Sequence, residues 1–172
     1  MADEHDPRAA FCRRHHPRLV GALTLYCGDP DAAADAAQEA LARACLHWDR
    51  VSAMASPQAW LFRVAFNEVK RPVRVRGRER DARGRAAAVR RDGSGHEAAV
   101  VNQVVVAQAL ASLPRRQRMA VVLRFQADLS VADVAVLMRC QPGTVKALTH
   151  QGIASLRAQI AFDDAEVITD AP

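Results

Sequence analysis

Residues 130–157, SVADVAVLMRCQPGTVKALTHQGIASLR, read as two short helices joined by a tight break. Ser130 is a good N-cap, and Asp133 stands three residues on, where a capping-box acid reaches back. Val134, Ala135 and Met138 share one helical face, with Leu137 beside them. Arg139-Cys140-Gln141 leads into Pro142, and the residue before a proline is pushed out of the α region. Pro142 itself suits the first position of a new helix. On that helix Val145, Thr149, Gly152, Leu156 and Ile160 form the inward row, with Ile153 beside it. Lys146, His150 and Arg157 line one flank, while Thr144, Ala147 and Gln151 face outward. The pattern is a helix-turn-helix with a basic, hydrogen-bonding outer surface, the geometry that seats a helix in a DNA major groove. A plain helical hairpin is the blander reading. The short break and the cationic flank occur together, and that favours DNA contact.

Composition agrees with helices. Half of the 172 residues are hydrophobic, much of that alanine, and aromatics make up only 5%. Such a chain favours helical bundles with thin cores over sheets. No apolar run is long enough to span a membrane. The first residues, MADEHDPR, are acidic and polar, unlike a secretion leader, so a cytoplasmic location is expected. Cys12, Cys27, Cys45 and Cys140 are scattered without a CxxC pair, which free thiols in a reducing compartment explain most simply. His15-His16 lacks any HxxxH, HExxH or CxxC context, so neither a metal, a cofactor nor a catalytic centre is expected.

The net charge of +5 hides an asymmetry: Lys70 to Arg91 holds ten basic residues and two acidic ones. Downstream of it lies the helix-turn-helix, so nucleic-acid contact is the better reading of this belt than a merely solvated linker. Residues 76–99, RGRERDARGRAAAVRRDGSGHEAA, are charged and glycine-rich with little apolar periodicity, and read as a flexible linker. The organisation predicted is all-α: an N-terminal domain over 7–75, the linker, a four-helix C-terminal domain over 100–161, and a frayed tail over 162–172.

In the N-terminal block, a first helix from Arg8 to Cys27 should stop at Gly28, and Asp29-Pro30 should cap the second. Ala37, Leu41, Cys45 and Trp48 follow one stripe of that second helix and are expected in the core. Its other side carries Asp35, Glu39, Ala42, Arg43 and Leu46. An apolar residue beside carboxylates suits a protein-docking face, and a plain surface with a Glu39–Arg43 ion pair suits the residues equally well. Ser56-Pro57 opens a third helix, with Leu61, Val64, Ala65 and Val69 inward and Trp60, Arg63, Asn67, Lys70 and Arg71 on the other side. Cations there can follow phosphates, and the indole can stack on an unpaired base for about 1–3 kcal/mol. In the C-terminal block a helix from about Val100 to Ser112 breaks at Leu113-Pro114. The next, RRQRMAVVLRFQ, gives Ala120, Val121, Leu123 and Phe125 to the core and gathers Arg115, Arg116 and Arg118 at its N-terminus, where dipole and charge together attract phosphate.

These residues resemble the extracytoplasmic-function (group IV) sigma factors of bacterial RNA polymerase. DAAADAAQEALARACLHWDRV followed by SPQAWLFRVAFNEVKR is similar to their N-terminal domain, and ALASLPRRQRMAVVLRFQADLSVADVAVLMRCQPGTVKALTHQGIASLR to their C-terminal domain. The resemblance implies that the chain makes and breaks no bond itself. It would bind core polymerase, direct it to promoters and help open the −10 region. Docking on the β′ clamp helices would fall to Asp35, Gln38, Glu39, Arg43 and Leu46. The −10 element would be opened and a flipped base held through Trp60, Arg63, Asn67, Lys70 and Arg71, at a cost of a few kcal/mol per extruded base. The −35 element would be read by Thr144, Lys146, Ala147, His150, Gln151 and Arg157, with Arg115, Arg116 and Arg118 on the backbone, while the same domain contacts the β flap. Family members are commonly held by an anti-sigma protein, which makes one a candidate partner beside polymerase and promoter DNA.

The chain departs from the family pattern in places. Arg71-Pro72 stands where an aspartate is common, and the proline should end the third helix early. Arg139 holds a turn position often given to glycine, Gln141 replaces a serine cap, and Thr149 replaces a core leucine. The rival reading is a helix-turn-helix activator or repressor that acts without replacing the sigma subunit. It has no use for a single-strand stacking surface around Trp60.

Overall fold

The computed structural model describes residues 6–80 and 106–169, with side chains over 6–69 and 106–159. Regular structure within them is helical: α1 (Pro7–Cys27), α2 (Pro30–Leu46), α3 (Trp48–Ser52), α4 (Pro57–Arg80), α5 (106–112), α6 (Arg115–Phe125), α7 (Val131–Met138) and α8 (Pro142–Thr169).

Each start and stop has a local cause. The Asp6 carboxylate accepts from the Arg8 backbone N–H at 3.0 Å to open α1. Gly28 closes it with φ 71°, a left-handed conformation that glycine adopts without a Cβ penalty, and its N–H reaches Thr24 O. Asp29 then accepts from Ala32 N at 3.1 Å and Pro30 begins α2. Ser56 Oγ accepts from Ala59 N at 3.3 Å at the head of α4.

Leu19, Ala22 and Leu23 of α1, the alanines 33, 36, 37, 40 and 44 of α2, and Leu61, Phe62, Ala65 and Phe66 of α4 are buried together. Small side chains on α2 let its neighbours approach closely, and the two phenylalanines of α4 fill the volume that this leaves. The stripe expected along α2 is corrected at its far end. Cys45 is exposed, and Trp48 belongs to α3, half-buried against Phe11 with ring centres 5.3 Å apart. The helix stops at Leu46, and its buried face is carried by residues 33, 36, 37, 40, 41 and 44. Within α1, His15 is buried against Phe11 at 4.4 Å, and its Nδ1 has no hydrogen-bond partner among the described residues.

Two boundary expectations are also corrected. Helix α4 continues through Pro72 to Arg80, so five residues assigned to the linker, 76–80, are helical. Proline removes one N–H from the ladder, and the helix accommodates that loss instead of ending. The tail expected to fray prolongs α8 to Thr169. The rest of the predicted linker, 81–99, and the first residues of the C-terminal unit, 100–105, lie outside the described residues.

In the C-terminal unit Met119 to Leu123 of α6 are buried with Leu110, Leu113, Leu129, Val134, Ala135, Leu137 and Val145. Phe125 is not core: α6 stops there and leaves the ring 64% exposed. Ser130 Oγ accepts from Asp133 N at 3.0 Å and donates to its carboxylate at 2.7 Å, which fixes the start of α7. Arg139 ends α7 in the left-handed region, φ 51° and ψ 55°, at a cost of roughly 1 kcal/mol for a residue with a Cβ. At Gly152 a Cβ would sit 2.7 Å from Val121 Cγ2, so only glycine lets α8 lie this close to α6.

The two helical units expected are present, and they share a continuous buried cluster from Leu19 to Val145. Polar ties cross between them. Gln58 Nε2 donates to Ala127 O at 2.7 Å, Arg115 Nε to the Tyr26 hydroxyl at 2.7 Å, and Arg118 to Tyr26 O at 3.1 Å.

Candidate nucleic-acid interface

Helix α8 sets out the first surface. Val145 and Gly152 are buried against α7 and α6 and hold the helix in place. Thr144, Lys146, Ala147, His150, Gln151 and Arg157 are then all exposed, as the sequence assigned them. Thr149, where the family pattern has leucine, is half-buried and donates its hydroxyl to Val145 O at 2.8 Å, so the polar group is satisfied within its own helix. Gln151 accepts from Gln117 of α6 at 3.3 Å, which orients the outward amide.

The arginines at the head of α6 divide. Arg115 and Arg116 are exposed. Arg118 is half-buried and donates to Tyr26 O, Ala111 O and Leu113 O, where burial pushes its pKa down from the ordinary arginine value. It ties loop and helix carbonyls together in this conformation, unlike the phosphate-facing role expected of it.

The second surface lies on α4. Arg63 and Asn67 are exposed and Trp60 is half-buried. The indole lines a groove with Met54, Ser56, Ala59 and Arg63 on its own side and Asp133, Val136 and Leu137 of α7 opposite. Lys70 and Arg71 belong to α4, but their side chains lie outside the described residues. Asn67 enters a neighbouring groove with Tyr26, Arg115, Arg116, Met138 and Arg139. The structure thus gathers residues that the sequence assigned to opposite ends of a promoter. Tyr26 was missed by sequence reasoning; its one visible signal is a phenol in the last turn of α1, just before the glycine stop.

The third surface is the outer side of α2. Asp35, Gln38 and Glu39 are exposed, and Leu46 is 77% exposed. Arg43 is bound twice, by Glu39 at 2.7 Å along the helix and by Glu68 of α4 at 2.8 Å. Its guanidinium therefore steadies the face as well as charging it. Among the described residues no helix is long and apolar enough to cross a membrane, and no group of His, Cys, Asp or Glu is placed to hold a metal ion.

Comparison with known families matches residues 11–79 to Sigma-70 region 2 and residues 103–156 to Sigma-70 region 4. The chain is 33% identical over 146 residues to the ECF RNA polymerase sigma factor SigC of Mycobacterium tuberculosis, covering 84% of this chain and 79% of that one. It is 33% identical over 151 residues to the ECF RNA polymerase sigma factor EcfG of Rhodopseudomonas palustris, covering 87% and 83%. The fold is similar to the sigma factor RpoE of Bartonella quintana, solved in complex with the anti-sigma factor NepR, with a TM-score of 0.71 at 25% identity over 90% of this chain and 98% of that one. It is also similar in fold to CnrH, solved in complex with the cytosolic domain of CnrY, with a TM-score of 0.66 at 22% identity and 94% coverage of both.

Proposed function

Because this chain belongs to the extracytoplasmic-function sigma factors of RNA polymerase, which are non-enzymatic initiation factors, we propose a role for each of its three surfaces. The outer side of α2, through Asp35, Gln38, Glu39, Arg43 and Leu46, docks on the β′ clamp helices. Trp60, Arg63 and Asn67, with Lys70 and Arg71 beyond them, capture the opened −10 strand by stacking and phosphate contact. Helix α8 reads the −35 element through Lys146, Ala147, His150 and Gln151, Thr144 and Arg157 flanking them, while its domain meets the β flap.

The observation that carries the reading is the row on α8: Val145 and Gly152 are seated, and every residue assigned to the groove is exposed. The docked arrangement adds a condition. With Trp60 partly covered by α7, and with Arg115 and Arg118 held on Tyr26, engagement of both promoter elements requires the two units to part. Core polymerase supplies the surfaces that part them. An anti-sigma protein that favours the docked form would oppose it; RpoE, which this chain resembles in fold, was solved with an anti-sigma factor.

Run-off transcription tests the reading. The chain should support promoter-specific transcripts only with core polymerase added, and it should bring down β and β′ when captured from its source cells. A DNA shift of equal strength with and without core would instead favour a regulator that works alone.

A further inference from the structure

We propose that Cys12 and Cys45 are a modification site that takes hydroperoxides, closing to a reversible intramolecular disulfide that ties α1 to the exposed side of α2. The two sulfurs lie 3.4 Å apart although the residues are 33 positions apart in the chain. A disulfide needs about 2.05 Å between sulfurs. The sulfurs therefore have to close by about 1.4 Å for the bond to form. The flanking contact of Phe11 on Trp48 holds the same two ends in register. Of the other two cysteines, Cys27 donates to Asp29 O at 3.3 Å, and Cys140 lies in the α7–α8 turn.

The two thiols differ in a way that orders the reaction. Cys45 is exposed and meets solvent peroxide. Cys12 is half-buried, and its pKa is pushed up to about 11, first by burial, then by the hydrogen bond and charge of Cys45. It stays a thiol, inert to peroxide, while Cys45 is reduced. The Cys45 thiolate attacks the peroxide, the O–O bond breaks, and Cys45 becomes a sulfenic acid while the peroxide leaves as an alcohol or water. That removes the Cys45 share of what holds the Cys12 proton, while the burial share remains. Cys12 sulfur then attacks the sulfenyl sulfur, the S–O bond breaks, and the Cys12 proton leaves with the hydroxide as water. Two thiols and one hydroperoxide yield one disulfide, one alcohol and one water. Thiol exchange with a cytosolic reductant reverses it.

The site stands independently of the promoter reading. Trypsin would release Cys12 in AAFCR and Cys45 in ACLHWDR. The purified full chain, treated with hydrogen peroxide and digested without reductant, should give these two peptides joined and lighter by two hydrogens, and dithiothreitol should separate them. In Cys12→Ser, Cys45 should stop at the sulfenic acid and be trapped by dimedone. In Cys45→Ser, Cys12 should remain alkylatable. Cys12→Ala replaces Cys12→Ser if the circular dichroism of the latter is not native. Oxidised wild-type chain in which Cys45 has become sulfinic acid or linked two molecules, with Cys12 still alkylatable, would overturn the proposal.

Discussion

Arg115 Nε donates to the Tyr26 hydroxyl at 2.7 Å, and the guanidinium carbon of the same arginine lies 5.7 Å from the centre of the Tyr26 ring. One side chain from the C-terminal unit thus uses both the oxygen and the π face of one side chain from the N-terminal unit. Tyr26→Phe keeps the ring and removes the hydroxyl, so docking should weaken by about 1 kcal/mol, a several-fold shift toward separated units. Small-angle scattering should show a larger radius of gyration for Tyr26→Phe combined with Gln58→Ala. An unchanged radius would mean that the shared apolar core alone holds the units together.

Trp60 and Asn67 lie in adjoining grooves, and neither is on the α2 face. Trp60→Ala and Asn67→Ala should therefore leave affinity for core polymerase intact while reducing promoter opening. Permanganate reactivity of −10 thymines reads this directly, with a loss of about 5- to 150-fold expected for Trp60→Ala if stacking contributes about 1–3 kcal/mol. Footprints equal to wild type in both variants would remove α4 from the melting step.

Lys146 and His150 stand one turn apart on the exposed flank of α8. Alanine at either should weaken transcription from promoters that depend on the −35 element more than it weakens binding to scrambled DNA. Competition binding on matched and scrambled duplexes separates the two effects. Equal losses on both would reduce these residues to phosphate contacts.

The close approach of α8 to α6 at Gly152 predicts a cost for the smallest possible addition. Gly152→Ala places a methyl group 2.7 Å from Val121 Cγ2, and overpacking of this kind typically destabilises by about 1–3 kcal/mol. Urea denaturation should show a lower midpoint. Val121→Ala in the same chain should recover part of the loss, and a loss that stays undiminished would place the strain elsewhere.

His15 gives a pH dependence. Burial, then the charges of Arg14 and Arg18, hold its pKa below the ordinary histidine value of 6.5. The unfolded chain therefore takes up the proton first as pH falls, and folding is opposed from about pH 6.5 downward. The fall in urea midpoint on acidification should be smaller in His15→Gln than in wild type. Identical slopes would show that the ring is solvated in both states.

What could be read from the sequence was local. Gly28, Asp29, Ser56, Ser130 and Pro142 each set a helix boundary through a cap or a ring constraint involving neighbours a few residues away, and each boundary lies where those residues place it. The misreadings arose where a distant partner decides. Cys45 and Phe125 sit in the last turns of α2 and α6, where both are exposed, so the apolar periodicity that points them inward holds only while a packed neighbour continues alongside. Pro72 was read as a stop because its lost hydrogen bond is visible in sequence, whereas the helix that absorbs the loss is not. Tyr26 and Arg115 are 89 residues apart, and Gln58 and Ala127 are 69, so no pattern within a window could have joined them. The exposed residues of α8 were legible because outward positions follow from inward ones. The partial cover over Trp60 was not.

The fork at position 118 narrows what this position can become. Its guanidinium spans Tyr26 O on one unit and Ala111 O and Leu113 O on the other, reaching in two directions at once with a rigid plane. A lysine would bring one compact charge on a flexible stem and could not satisfy carbonyls on both sides together. The commonest like-for-like basic exchange would then leave an acceptor stranded at the seam, and a site that looks permissive by charge is restrictive by shape.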